Sequence, residues 1–140
     1  MNNTLYPCLW LESHAADAAA FYCSVFPNSR ILSNNGMAVS FELNGTRFLA
    51  IQGAKPQDFS HAVSFVIECS NQEEIDYYWN ALGSEGVYEQ CGWLKDKYGL
   101  SWQVVPSILP QLLSDPEKAP RVVQAFMQMS KFDIAALQNA

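Results

Sequence analysis

The sequence predicts an α+β fold of two βαβββ modules followed by C-terminal helices, and three observations carry that prediction. The order of alternating and helical patterns over residues 5–52 is repeated over residues 61–106, an internal repeat of a supersecondary unit. The segments FELNGTRFLAI and LKDKYGLSWQVV also correspond. Each reads as a strand, a turn ending in glycine and an aromatic-centred strand, so that Phe48 matches Trp102 and Leu49 matches Gln103. The helical segments match likewise, with Phe21-Tyr22 opposite Tyr78-Trp79. The whole chain, residues 1–140, then reads as a single domain, with residues 107–140 a helical addition.

In chain order, LYPCLWL alternates Leu5, Leu9 and Leu11 against Tyr6, Cys8 and Trp10, which predicts a strand. Ser13 is placed to cap a helix whose Ala18, Phe21, Tyr22 and Val25 recur at helical spacing, and Pro27-Asn28 stops it. RILS and MAVSFEL follow as strands around Asn34-Asn35-Gly36. Asn44-Gly45 then joins FEL to RFLAI as a hairpin. After the polar linker GAKPQDFS, the second module has a strand in HAVSFVIEC and a helix in QEEIDYYWNAL. Strands near Val87, through CGWLK and through LSWQVV complete it. Asp96 is placed to accept backbone hydrogen bonds in the Lys97-Tyr98-Gly99 turn, and Trp102 and Val104 to pack on the second helix with Tyr78 and Trp79. Beyond Pro106, a helical turn covers Ser107 to Leu113 and Asp115-Pro116 starts a helix through Val122, Phe126 and Met127. Ser130 with Asp133 reads as a capping box for a last helix.

Composition narrows the function classes. With 49% hydrophobic and 16% charged residues over 140 positions, the chain can bury a full core without staples. A net charge of −6 and scattered basic residues argue against nucleic acid as a partner. No basic leader or long apolar run is present, so no membrane partner and a cytoplasmic location are expected. Cys8, Cys23, Cys69 and Cys91 form no CxxC pair and read as reduced thiols.

The combination of PCLWLE, FYCSVFPNSRI and QCGWLKDKYGLSWQVVP resembles the PhnB-like family labelled 3-demethylubiquinone-9 3-methyltransferase. That family is a branch of the vicinal-oxygen-chelate (glyoxalase/bleomycin resistance/dioxygenase) superfamily. The resemblance runs almost end to end. It implies two curled βαβββ sheets enclosing a cup-shaped cleft, usually in a homodimer, and a superfamily in which a metal chelates adjacent substrate oxygens. Carried over by strand alignment, the four metal-ligand positions fall near Tyr6, Leu49, Ala62 and Gln103. None is a histidine or carboxylate, so metal-independent binding with no cofactor is expected. His61 is one residue out of register, and His14 lies before the first helix.

Alternation places Tyr6, Cys8, Trp10, Ser40, Glu42, Trp93 and Gln103, with Cys91 and Ser101, facing that cleft. An aromatic floor with a few polar groups suits a small planar or aromatic ligand. Trp10 and Trp93 could equally fill space or meet a second copy. Glu42 could act as a general base or sit solvated at a strand end, and Cys8 or Cys91 could serve as a nucleophile or be inert. The alternative to a binding protein is an enzyme. It would be a divalent-metal lyase or dioxygenase using His61, Glu42 and Gln103, or the methyltransferase of the family label, although no glycine-rich GxGxxG turn is present for an adenosyl cofactor.

Overall fold

The computed structural model describes residues 1–12, 14–55 and 57–140, so the cap expected at Ser13 lies outside the described residues. The chain forms two compact units, Met1–Asp58 and Phe59–Ala140, and each contains one four-stranded sheet.

In the first unit, β1 (Cys8–Leu11), α1 (Ala15–Val25), β2 (Arg30–Asn34), β3 (Ala38–Leu43) and β4 (Thr46–Gln52) follow the predicted β-α-β-β-β order. The sheet order is β1-β4-β3-β2, with β1 parallel to β4 and the other neighbours antiparallel. β1 is shorter than the alternation suggests. Pro7 still accepts from the amide of Leu49 at 3.0 Å, but proline has no N–H to continue the ladder. Asn44 and Gly45, at φ 49° and 89°, form the tight hairpin turn that the dipeptide announces. Core formation follows from the two periodicities. Ala15, Ala18, Ala19, Tyr22 and Val25 of α1 are buried, as are Leu9, Leu11, Val39, Phe41, Leu43, Phe48 and Ala50 of the strands. Phe41 stacks between Tyr22 and Phe48, with ring centroids 6.4 and 5.5 Å away. The alternate residues of β1, β3 and β4 therefore present the sheet face turned away from α1.

The second unit contains β5 (Phe65–Cys69), α2 (Gln72–Gly83), β6 (Val87–Tyr88), β7 (Trp93–Lys95) and β8 (Ser101–Pro106), in sheet order β5-β8-β7-β6. Its register repeats that of the first. Phe65 pairs with Trp102 and Val66 with Gln103 across the parallel ladder, while Trp93 pairs with Gln103 and Leu94 with Trp102 across the antiparallel one. α2 starts on a true cap. The Asn71 side chain accepts from the amide of Glu74 at 2.9 Å, and Glu74 reaches back to the amide of Ser70 at 2.8 Å. Trp79 of α2 stacks on Tyr88 with centroids 4.8 Å apart, whereas Trp102 tilts against Phe65 at 5.6 Å.

Four further elements differ from expectation. The strand expected from His61 begins only at Phe65, because the Ser60 hydroxyl accepts from the amide of Ala62 at 3.0 Å and the Ser60 carbonyl from that of Val63 at 3.3 Å. CGWLK is a strand only from Trp93, since Cys91 and Gly92 take φ 59° and 80° and give their amides to the carbonyls of Met129 and Ser130, both at 2.8 Å. After α3 (Leu109–Leu113), helix α4 (Ala119–Met127) starts later than Asp115-Pro116 suggests, and α5 (Ile134–Gln138) is capped by Asp133 alone, whose carboxylate accepts from Ala136. Ser130, the expected cap, lies against the carbonyl of Glu89 instead.

Candidate functional site

The face of the first sheet turned away from α1 carries five of the expected residues, Tyr6, Cys8, Trp10, Ser40 and Glu42. Trp10 is 40% exposed. Its indole N–H donates to the carbonyl of Lys55 at 3.1 Å, and its ring lies so close over Gly53 that a Cβ there would sit 2.1 Å from it. Burial raises the thiols of Cys8 and Cys23, and Cys69 is pushed up to about 11 by burial with the Glu74 carboxylate adding to it. A raised thiol holds its proton at neutral pH, which disfavours Cys8 as a nucleophile. Glu42 forms a 3.3 Å ion pair with Arg30, an exposed partner at the sheet edge, rather than sitting in an apolar recess that would make it a base.

Arg47 is the residue that sequence reasoning passed over. It shares this face with Leu49 and Ile51, which the alternation of TRFLAI does signal. Its guanidinium lies 4.2 Å from the centroid of the Tyr6 ring, and its Nε donates to the Ser40 hydroxyl at 3.3 Å. Ser40 is itself only 5% exposed, so this anchor is fixed.

The second sheet brings Trp93 and Gln103 together as direct cross-strand partners. The Gln103 amide donates to the Ser64 hydroxyl at 2.9 Å. His61 meets the edge of Trp93 with centroids 5.8 Å apart, and its Nε2 lies 3.0 Å from both carboxylate oxygens of Glu89. Nothing local in the sequence announces that pair, because 28 positions separate its members. Ser101 is buried, and its hydroxyl has no partner among the described residues. Cys91 does not join this face. It sits in the left-handed turn before β7, with its Sγ 3.6 Å from the carbonyl of Phe126.

The four positions that would hold a chelated metal do not fit one. Tyr6 lies beneath a guanidinium, Leu49 is apolar, Ala62 has no donor in its side chain and Gln103 offers one neutral amide. A cation already beside Tyr6 opposes a second one there. Among the described residues no three His, Cys, Asp or Glu side chains are grouped to hold an ion. None of the described helices is long and apolar enough to cross a membrane.

The sequence profile of the 3-demethylubiquinone-9 3-methyltransferase family matches residues 3–105 of this chain. The chain belongs to that family. A putative 3-demethylubiquinone-9 3-methyltransferase, PhnB protein, from Bacillus cereus is 30% identical, with a TM-score of 0.67 over 75% of this chain and 100% of its own. A protein from Pseudomonas aeruginosa superposes with TM-score 0.62 at 14% identity, covering 75% of this chain and 98% of its own. The fosfomycin resistance protein FosX of Listeria monocytogenes, solved with Mn(II) and sulfate, gives 0.58 at 11% identity over 81% of this chain and 97% of its own. Those last two likenesses show the fold alone. No curated protein matches the sequence.

Proposed function

We propose that this member of the 3-demethylubiquinone-9 3-methyltransferase-like family binds a small planar or aromatic molecule without a metal ion. The open face of the first sheet contributes Tyr6, Cys8, Trp10, Ser40 and Glu42 to binding, and that of the second sheet Trp93 and Gln103. The observation that carries this reading is the replacement of ion ligands by aromatic and neutral groups: Tyr6 is engaged by Arg47 and Gln103 by Ser64. A flat ligand gains most from such a surface, through stacking and apolar contact. Homodimeric assembly and a cytoplasmic location complete the proposal, and light scattering giving twice the chain mass checks the first of these.

Intrinsic tryptophan fluorescence, titrated with a panel of planar aromatic compounds, tests the binding reading. Saturable quenching is expected, with an affinity loss of about tenfold in Trp10→Ala or Trp93→Ala, the scale of one lost aromatic contact. A Trp10→Ala, Trp93→Ala double variant that still bound its best ligand normally would remove these residues from the site. The family's description supports one competing reading, methyl transfer. Calorimetry with S-adenosylmethionine separates the two: measurable binding favours the transferase, and no heat at millimolar cofactor eliminates it.

A further inference from the structure

The geometry points to an anionic ligand: we propose that the open face of the first sheet selects planar aromatic carboxylic acids, whose carboxylate is taken by the guanidinium of Arg47. This rests on reading that face as a ligand surface and adds the chemical class.

The strands offer Glu42 two cationic partners. Glu42 is in register with Arg30 on one side and with Arg47 on the other, so either could have taken its carboxylate. It pairs with Arg30 at 3.3 Å. Among the described residues no carboxylate lies within ion-pair distance of Arg47, although acidic residues outnumber basic ones by fourteen to eight in the sequence. Arg47 is instead positioned by neutral groups, the Tyr6 ring at 4.2 Å and the buried Ser40 hydroxyl at 3.3 Å. Those contacts hold the side chain without neutralising it. With Nε given to Ser40, the outer edge of the guanidinium keeps the two parallel N–H groups that match a carboxylate.

The neighbouring residues fit the rest of such a molecule. Leu49 and Ile51 follow Arg47 along β4 on the same face, and same-face residues of a strand are about 7 Å apart. Leu49 lies across from Cys8 and Ser40, and Ile51 across from Trp10 and Ala38. A carboxylate at Arg47 therefore places one or two fused rings over Leu49 and Cys8, directed toward Trp10. At the equivalent place of the second sheet, where Lys95 pairs as Glu42 does in the first, Ser101 stands instead of an arginine, so that sheet has no counterpart of the Arg47 guanidinium.

The test measures 2-naphthoate and 2-naphthamide against the full chain by tryptophan fluorescence, in wild type and in Arg47→Gln. The acid is expected to bind at least tenfold more tightly than the amide, with the margin shrinking as salt rises from 50 to 500 mM. In Arg47→Gln that margin falls below about twofold while amide affinity holds, and Arg47→Lys restores only part of it. An unchanged thermal midpoint shows that these variants fold. Equal binding of acid and amide by the wild type overturns the proposal while leaving the aromatic surface standing; failure of both ligands to bind overturns the two readings together. A preference that survives Arg47→Gln assigns the carboxylate elsewhere and also overturns it, as does 2-naphthyl phosphate binding tenfold more tightly than 2-naphthoate.

Discussion

Asp96 shows how far one residue can be read before its surroundings are known. The sequence places it correctly as the organiser of the Lys97-Tyr98-Gly99 turn, where its Oδ1 accepts from the amides of Tyr98 at 2.8 Å and Leu100 at 3.1 Å. Its Oδ2 has a further role, accepting from the indole N–H of Trp102 at 2.8 Å. That bond ties the turn to the strand that carries Gln103. It is not legible in the sequence, where Trp102 reads as core alone, because an indole declares its apolar body and not the direction of its N–H. At 3% exposure the carboxylate holds three donors in place of water. Asp96→Ala is therefore expected to cost about 3 kcal/mol, since buried donors left without acceptors lose their full desolvation energy. Urea unfolding at neutral pH measures it, and a loss under about 1 kcal/mol would show that water replaces the carboxylate.

At the scale of elements, legibility follows the range of the interactions that define each one. The Asn44-Gly45 hairpin was readable because its chemistry is complete within the dipeptide, and α1 and α2 because apolar spacing fixes their buried faces. The open face of the first sheet was readable to the same extent: alternation put Tyr6, Cys8, Trp10, Ser40 and Glu42 together, and the missed Arg47 obeys the same alternation. Cys91-Gly92 reads as strand in the sequence but is not one, because the acceptors of its amides, Met129 and Ser130, come from a distant segment with no local trace. Gly92 has two separable reasons to be glycine. It takes φ +80°, and a Cβ would lie 2.5 Å from the Phe132 ring and 2.7 Å from the Val104 carbonyl oxygen. Gly99, at φ +86° with nothing within 4 Å, supplies only the first reason. Gly99→Ala should thus cost about 1 kcal/mol from backbone strain, and Gly92→Ala about 3 kcal/mol once overpacking adds to it. Equal losses in thermal unfolding would mean that the Phe132 ring simply moves aside.

For the molecule as a whole, the informative boundary is residue 105, where the family match ends and 35 residues from Pro106 onward remain. Phe126 and Met127 at the end of α4 and Met129 just beyond it have different surroundings. Met127 stays exposed, whereas Phe126 meets Phe132 edge to face at 6.0 Å and the Met129 carbonyl receives the Cys91 amide. Val122, Phe132 and Leu137 are buried, and the Gln72 side chain brackets the segment by donating to the Phe132 carbonyl and accepting from the Ile134 amide, both at 2.9 Å. These contacts make the C-terminal helices part of the second unit, continuous with the turn that launches β7 and hence with the strand bearing Trp93. The Asp76–Lys131 ion pair adds a pH-dependent element. Lys131 and Gln72 hydrogen bonds lower the Asp76 carboxyl, so its contribution is present above the ordinary carboxylate range and lost as acid brings the pH down through the lowered value. Phe132→Ala should then cost about 3–5 kcal/mol by leaving a cavity against Gly92. A chain ended at Pro106 should lose the cooperative thermal transition of the second unit and the protected environment of Trp93, read as a red shift in its emission. If the shortened chain melts as the full one does, the helices are an appendage and the β7 turn is held by its own sheet.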